Sequence, residues 1–184
     1  MLAIADSASI KGFYASMTED EFVKNSEIQG AMHITRAEYD FTESQFDVLG
    51  HPKGVELTAE FAICNSRSDT GVCSDYAYDE STAFFTVGGA LIKFIRLQYG
   101  YGGLNAPKIR RIWFQTIEND GRQLYAATRS KYGEPDRIEV MEFGESELLH
   151  IYWQLGPNDT LFSDHMGFRY YLSHTMPLLV ERTA

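Results

Sequence analysis

Apolar and polar residues alternate along parts of the chain, and this period of two residues predicts β-strands. Residues 55–63 carry apolar side chains at every odd position, with Glu56, Thr58, Glu60 and Ala62 between them. Successive side chains of a strand point to opposite faces of a sheet. We therefore expect this strand to have one face in the core and the other in water.

Other segments add strands and the turns that join them. The clearest hairpin signal is Gly88-Gly89, because both glycines can adopt the positive φ of a two-residue turn. A loop is expected over residues 99–107. The strand-like runs are 83–87, 90–95, 109–117, 137–143, 148–155 and 168–173, with turns at 144–147 and 156–159. In the run 148–155, one face consists of Leu149, Ile151, Trp153 and Leu155.

A first helix is predicted to begin at Thr18. Its hydroxyl suits an N-cap, Glu21 completes a capping box, and Met17 and Phe22 occupy the positions of a hydrophobic staple. The acidic run of residues 19–21 fits the first turn, where the helix dipole favours negative charge. We interpret this run as a helix start rather than a metal site.

A second helix is predicted between residues 120 and 132. Asp120 and Gln123 form a pair that resembles a capping box, and Gly133 with Pro135 provides the stop. The order is thus helix, several strands, helix, three strands. It predicts an α+β protein with an antiparallel sheet and short helices packed on one face. We expect one compact domain over residues 1–184, built from two fused helix-plus-strands repeats at about 9–117 and 118–184.

Composition limits the classes of partner. The 184 residues are 44% hydrophobic and carry a formal charge of −10, which repels phosphate backbones and anionic membranes. Nucleic acid is therefore not expected as a ligand. An acidic surface suits a basic protein partner, although solubility alone also accounts for it. The apolar runs are far shorter than the roughly 20 residues of a membrane-spanning helix, so no membrane span is expected.

The two cysteines, Cys64 and Cys73, bracket a polar stretch and are predicted to form a disulfide. Two reduced thiols in a cytoplasmic protein are the alternative. Ala3-Ile4-Ala5 matches the small-x-small pattern that precedes signal-peptide cleavage. Together these features favour a periplasmic or secreted protein.

No catalytic or cofactor motif stands out. The five histidines lack metal-ligand spacing, so no metal or cofactor is expected. Ser163-Asp164-His165 offers the residue types of a hydrolase triad, but adjacent residues on a strand do not face one another. We interpret it as a polar loop. The glycines of residues 100–103 lack the Lys-Ser/Thr of a phosphate-binding loop.

Tyrosines beside flexible segments are the candidate partner-binding residues. Tyr99 and Tyr101 adjoin glycines, and Tyr76 and Tyr78 lie near the cysteine loop. Rigid aromatic side chains beside an adaptable backbone are typical of protein-recognition loops. The alternatives are core packing for the first pair and an ordinary solvated connection for the second.

Two short motifs resemble bacterial envelope proteins of the β-lactamase-inhibitor-protein-like fold, including the BamE-type assembly lipoproteins. The first is Ile10-Lys11-Gly12-Phe13 followed by Met17-Thr18-Glu19-Asp20-Glu21, which resembles their opening strand and acidic helix start. The second runs from Leu124 through Lys131-Tyr132-Gly133-Glu134-Pro135 to Tyr152-Trp153. Unlike the lipoproteins, this chain has no cysteine near residue 1, so lipid anchoring does not carry over.

Members of this fold mostly bind other proteins as inhibitors, assembly factors or immunity-type proteins, and they share no catalytic residues. The resemblance therefore implies a non-enzymatic protein-binding domain of a bacterial envelope or secreted protein. The alternatives are a small enzyme with an unrecognised His/carboxylate site and a structural subunit of a larger assembly.

Overall fold

The computed structural model describes residues 9–40, 53–69, 71, 73–77, 85–101, 108–116, 122–143, 146–164 and 169–176. The helices in these residues are α1 (Glu19–Ile28) and α2 (Arg122–Tyr132). The strands are β1 (Ser9–Ile10), β2 (Phe13–Tyr14), β3 (His33–Asp40), β4 (Lys53–Glu60), β5 (Ile63–Arg67), β6 (Cys73–Ala77), β7 (Thr86–Val87), β8 (Ala90–Tyr101), β9 (Lys108–Thr116), β10 (Arg137–Phe143), β11 (Ser146–Gln154), β12 (Asp159–Asp164) and β13 (Arg169–Met176).

One antiparallel sheet dominates the molecule, which confirms the α+β class. Its strand order is β10-β11-β12-β13-β9-β8-β4-β3, with the short β7 added to β8. At its centre β13 pairs with β9, and Leu172 lies opposite Ile112. Strands from before and after residue 117 therefore share one sheet. The hairpins β1–β2 and β5–β6 form two small additional sheets.

Helix α1 begins where the capping signal predicts. The Glu21 N–H donates to Thr18 Oγ1 over 3.2 Å, and the Thr18 N–H donates to the Glu21 carboxylate over 2.7 Å. Two of the amide groups at the helix start thus obtain partners. The fully buried Phe22 then packs edge-on against Phe13, with ring centroids 5.7 Å apart.

Helix α2 is also confirmed, and it stops at the predicted glycine. Gly133 has a φ of +87° and its N–H donates to the Arg129 carbonyl over 2.9 Å. The Trp153 indole donates to the Gly133 carbonyl over 3.1 Å, so the helix end is fixed to β11. The proposed capping residue Asp120 lies outside the described residues.

Both helices pack on the same side of the sheet, called here the helix face. Phe13 links its parts, because its ring contacts Phe22 of α1, Phe85 and Phe114 of β9. The Tyr125 ring of α2 lies 6.0 Å from that of Trp153. The strand residues buried on this face include Val55, Leu57, Ala59, Ile95, Leu97, Ile112, Phe114, Ile151, Trp153, Leu161 and Leu172.

The opposite side of the sheet, called here the far face, corrects one prediction. We expected the even positions of β4 to face water, but Thr58 is only 7% exposed and Glu60 only 2%. The chain does not continue β4 to Ile63. It turns after Glu60, and the β5–β6 hairpin brings Arg67 and Tyr76 onto the Glu60 carboxylate.

The structure differs from the sequence predictions at three further places: one strand end and two strands that were not predicted. The loop expected from residue 99 begins later, because β8 continues to Tyr101. The polar segment before Phe168 contains a strand, β12, whose register pairs Leu161 with Leu172. Strand β3 was also missed, since its alternation is hidden by charged residues at the edge of the sheet. The Gly88-Gly89 hairpin is confirmed, with φ values of +59° and +87°.

Candidate functional site

A row of large side chains crosses the far face from strand to strand. Cross-strand pairing places Arg96 opposite Trp113, and Tyr152 opposite both Phe162 and Arg137. Tyr171 holds the register position between Trp113 and Phe162. The resulting row, called here the aromatic row, is Arg96 and Trp113 on β8 and β9, and Phe162, Tyr152 and Arg137 on β12, β11 and β10, with β13 between the two groups. With neighbouring strands about 4.8 Å apart, it spans roughly 24 Å.

One end of the row is an arginine held between aromatic rings. The Arg96 guanidinium carbon lies 4.4 Å from the ring centroid of Phe94 and 4.8 Å from that of Trp113. The two rings meet edge-on at 5.1 Å. Cation–π contacts of this kind are strongest where the groups are shielded from water, and the Arg96 side chain is only 18% exposed.

Polar side chains brace this end. The Arg111 Nε donates to Gln98 Oε1 over 2.8 Å, and the Gln98 amide donates to the Glu56 carboxylate. Glu56 also lies 3.4 Å from the Arg96 guanidinium. A continuous network therefore joins β9, β8 and β4, and it gives the buried Gln98 amide hydrogen-bond partners on both sides.

The other end of the row is more open. The Arg137 guanidinium carbon lies 4.0 Å above the Tyr152 ring, and the Tyr152 and Phe162 centroids are 4.8 Å apart. His150 meets Phe162 edge-on at 5.1 Å. Burial and the nearby Glu139 raise the pKa of Tyr152, so its hydroxyl stays protonated. Arg137 is 59% exposed, which leaves this end accessible.

The disulfide hairpin β5–β6 is attached at the Arg96 end of the face. Arg67 donates two hydrogen bonds to the Glu60 carboxylate, at 3.0 and 2.5 Å. The Tyr76 ring contacts Phe94 at 5.7 Å, and its hydroxyl donates to Glu60 over 3.4 Å. Burial and the Glu60 charge raise the pKa of Tyr76 well above its usual value. Lys93 Nζ lies 5.0 Å from the Tyr76 ring centroid.

The predicted disulfide is confirmed. Cys64 and Cys73 are joined by an S–S bond of 2.07 Å, with Cα atoms 5.8 Å apart, and they link β5 to β6. The bond crosses a hairpin whose strand register is irregular on both sides of Ser66. The disulfide therefore stabilises the pairing of β5 with β6, where the backbone hydrogen-bond ladder is irregular.

The four candidate tyrosines do not form one site. Tyr76 lies beside the far face, as described above. Tyr99 lies on the helix face, where its hydroxyl donates to the Glu19 carboxylate and Arg110 stacks on its ring at 4.4 Å. Tyr101 is the last residue of β8, opposite Lys53. Tyr78 lies outside the described residues.

The surroundings of Tyr99 give it a structural role. A hydrogen bond from Arg36 lowers the pKa of Glu19, so that carboxylate is charged and accepts from both Arg36 and Tyr99. Burial and Glu19 raise the pKa of Tyr99. Arg110 also donates to the Met17 carbonyl over 3.0 Å. These contacts tie the start of α1 to β8 and β9.

The aromatic row itself was missed by sequence reasoning, although its signal was present. Trp113 and Tyr152 occupy the positions between buried apolar residues on their strands, where solvent-exposed strands usually carry small polar or charged side chains. The alternation of apolar and polar residues alone predicts that these side chains face water. Only the strand order brings side chains from five separate strands into one row.

The described part of the chain has neither a metal-binding cluster nor a helix that could span a membrane. No cluster of three or more His, Cys, Asp or Glu side chains there is arranged to hold a metal ion. None of the helices described is long and apolar enough to cross a membrane.

Comparisons with protein-family models, with curated proteins and with solved structures gave no match.

Proposed function

We propose that this chain is a non-enzymatic protein-binding domain of a bacterial envelope or secreted protein, of the inhibitor, immunity or assembly-factor type. In this proposal the far face of the sheet is the binding surface. The aromatic row is the observation that carries it.

The composition of the row supports protein recognition. Binding energy at protein interfaces is concentrated in a few residues, and Trp, Tyr and Arg are the commonest of them. The far face places these residue types in a line with an arginine at each end. Trp113 is only 8% exposed, so in this proposal it supports the surface, and Tyr152, Phe162 and Arg137 at the open end make the contact. The residues of the row are held in place by one another and by the Glu56–Gln98–Arg111 network, so binding would cost little side-chain entropy.

The net negative charge of the chain supports a partner protein with a basic surface. The chain carries a formal charge of −10, which speeds association with a cationic protein and opposes association with anionic polymers. Tyr76 of the predicted set fits this surface, because it adjoins the Arg96 end of the row.

The strand order supports two fused repeats of the type that the sequence resemblance implies. Helix α1 precedes β3, β4, β8 and β9, which lie side by side in that order, and α2 precedes β10 to β13, which do the same. The last strands of the two units, β9 and β13, pair with each other. The disulfide supports an oxidising compartment, which for a bacterial protein means the periplasm or the exterior.

Site-specific photo-crosslinking tests the binding surface. A photoreactive phenylalanine analogue in place of Tyr152 should crosslink a partner protein in envelope extract from the source organism. The same analogue in place of Ile28, a 70% exposed residue at the end of α1, is the matched control. Crosslinking of the same partner from both positions with equal yield, or from position 28 alone, would contradict the far face as the binding surface.

A further inference from the structure

Strand β10 ends the sheet and carries exposed apolar residues. Among the described strands it pairs with β11 alone. Ile138 is 53% exposed and Val140 is 57% exposed. They lie opposite Ile151 and Leu149, so both belong to the helix face. Both side chains therefore extend the apolar helix face to β10, where more than half of each is exposed.

The strand at the other end of the sheet is protected in a different way. Strand β3 carries Arg36 and Glu38 at the corresponding positions of the helix face. Arg36 forms ion pairs with Glu38 at 2.6 Å and with Glu19 of α1 at 2.9 Å. Charged side chains on an edge strand oppose edge-to-edge pairing, whereas an apolar edge promotes it. The two ends of the sheet therefore differ in their suitability for contact.

We propose that two copies of the chain pair through their β10 strands, antiparallel and related by a two-fold axis at Ile138. In this register Ile138 faces Ile138 of the second copy, and Val140 lies diagonal to it on the same face. On the far face, Arg137 of each copy faces Glu139 of the other. The symmetry applies this pairing twice.

The charges select this register over its neighbours. A two-fold axis at Glu139 would place two carboxylates directly opposite each other, and like charges in that position are destabilising. An axis at Val140 would place Glu139 opposite Met141 and Arg137 opposite residue 143, so it would form no ion pair across the interface. Of these three axes, only the one at Ile138 places an acidic residue opposite a basic one, and this Arg137–Glu139 pairing outweighs the placement of Val140 opposite Asp136 in the same register. Arg137 already forms a 3.3 Å ion pair with Glu139 of its own strand.

The pairing has a consequence for the far face. Arg137 is the last residue of the aromatic row, so the two rows would meet at the dimer axis. The two sheets would form one continuous antiparallel sheet, and the binding surface would double in length.

Charge reversal tests the register directly. Sedimentation equilibrium of the wild-type protein across the micromolar range should show a dimer. Arg137→Glu alone and Glu139→Arg alone should each raise the dimer dissociation constant at least about tenfold, because each change places two like-charge pairs at the interface. An equimolar mixture of the two variants should regain the dimer, since each then meets the opposite charge.

The double variant Arg137→Glu/Glu139→Arg should also dimerise. The matched control is Glu38→Arg on β3, a charge reversal at the other edge of the sheet that should leave the dimer unchanged. A wild-type protein that stays monomeric at every concentration overturns the proposal. Single reversals that leave the dimer intact, or a mixture that stays monomeric, overturn the β10 register.

Discussion

Tyr99 and Tyr152 are both half-buried tyrosines stacked against an arginine, yet they lie on opposite faces of the sheet. Arg110 lies 4.4 Å above Tyr99 and Arg137 lies 4.0 Å above Tyr152. Tyr99 also donates a hydrogen bond to Glu19, which joins β8 to the start of α1. Tyr152 belongs to an exposed end of the aromatic row. The same residue type thus supports the fold at one position and presents a surface at the other.

Thr18 allows a prediction at the scale of one residue. Replacing Thr18 with alanine removes the acceptor of the Glu21 N–H, so we expect the free energy of unfolding to fall by roughly 0.5–2 kcal/mol. Urea denaturation measures it. Thr18→Ser keeps the hydroxyl and is the control. Equal midpoints for wild type and the alanine variant would show that the cap does not stabilise the protein.

Sequence reasoning succeeds for a residue when its role is local. The Thr18–Glu21 capping box is contained in four consecutive residues, and it forms as predicted. Glu60 is the opposite case. Its position in an alternating strand predicted exposure, but its burial depends on Arg67 and Tyr76, which the hairpin brings back from later in the chain. No pattern around Glu60 itself contains that information.

At the scale of elements, the β5–β6 hairpin is held by both a covalent bond and side-chain contacts. Replacing both Cys64 and Cys73 with serine should lower the free energy of unfolding by about 2–3 kcal/mol, chiefly because the unfolded chain gains freedom. Denaturation midpoints of the variant and the wild type measure this loss. The Glu60–Arg67 ion pair should keep the hairpin in place in the folded variant.

Thiol titration provides the independent control for the disulfide. The unfolded, unreduced wild-type protein should show no free thiol, and the reduced protein should show two. Two free thiols before reduction would contradict the bond and remove the main support for an oxidising compartment.

The β7–β8 turn gives a second prediction for an element. A Cβ atom at Gly88 would lie 2.3 Å from the Ala127 Cβ of α2, and its φ of +59° is strained for other residues. Gly88→Ala should therefore cost about 1–2 kcal/mol for the backbone and more for displacing the helix. Gly30, with a φ of +85° and no neighbour within 4 Å, is the control. If Gly30→Ala and Gly88→Ala have equal midpoints in urea, the turn does not pack tightly on α2.

The elements that sequence analysis missed share a physical cause. Strand β12 carries Thr160 and Ser163 around a single fully buried leucine, Leu161, so its composition resembles a loop. It is a strand because β11 and β13 supply hydrogen-bond partners on both sides. Strand β3 likewise carries charges that belong to its edge position. Pairing with neighbouring strands determines the conformation of β3 and β12. Local sequence propensity determines the conformation of α1 and of the Gly88-Gly89 turn.

At the scale of the whole molecule, the proposed function assigns stability to one face of the sheet and recognition to the other. The helix face holds most of the buried apolar residues, including Phe114 and Trp153. The far face holds the two arginine–aromatic stacks of the aromatic row and the Glu56–Gln98–Arg111 network. The sequence predicted the α+β class and several of the strands. It did not predict the aromatic row, because the row exists only once β9 and β13 pair and join strands distant in sequence.

This separation yields a prediction that compares two tyrosines. Tyr99→Ala should lower the free energy of unfolding by about 1–3 kcal/mol, since it removes a core-packed ring and the bond to Glu19. Tyr152→Ala should change stability by less than about 1 kcal/mol but weaken partner capture at least about tenfold, as expected for an aromatic residue that contributes strongly to binding. Denaturation midpoints and capture by immobilised protein, measured below each unfolding transition, give both quantities. The opposite pattern, with Tyr99→Ala stable but unable to capture and Tyr152→Ala binding normally, would move the recognition surface to the helix face.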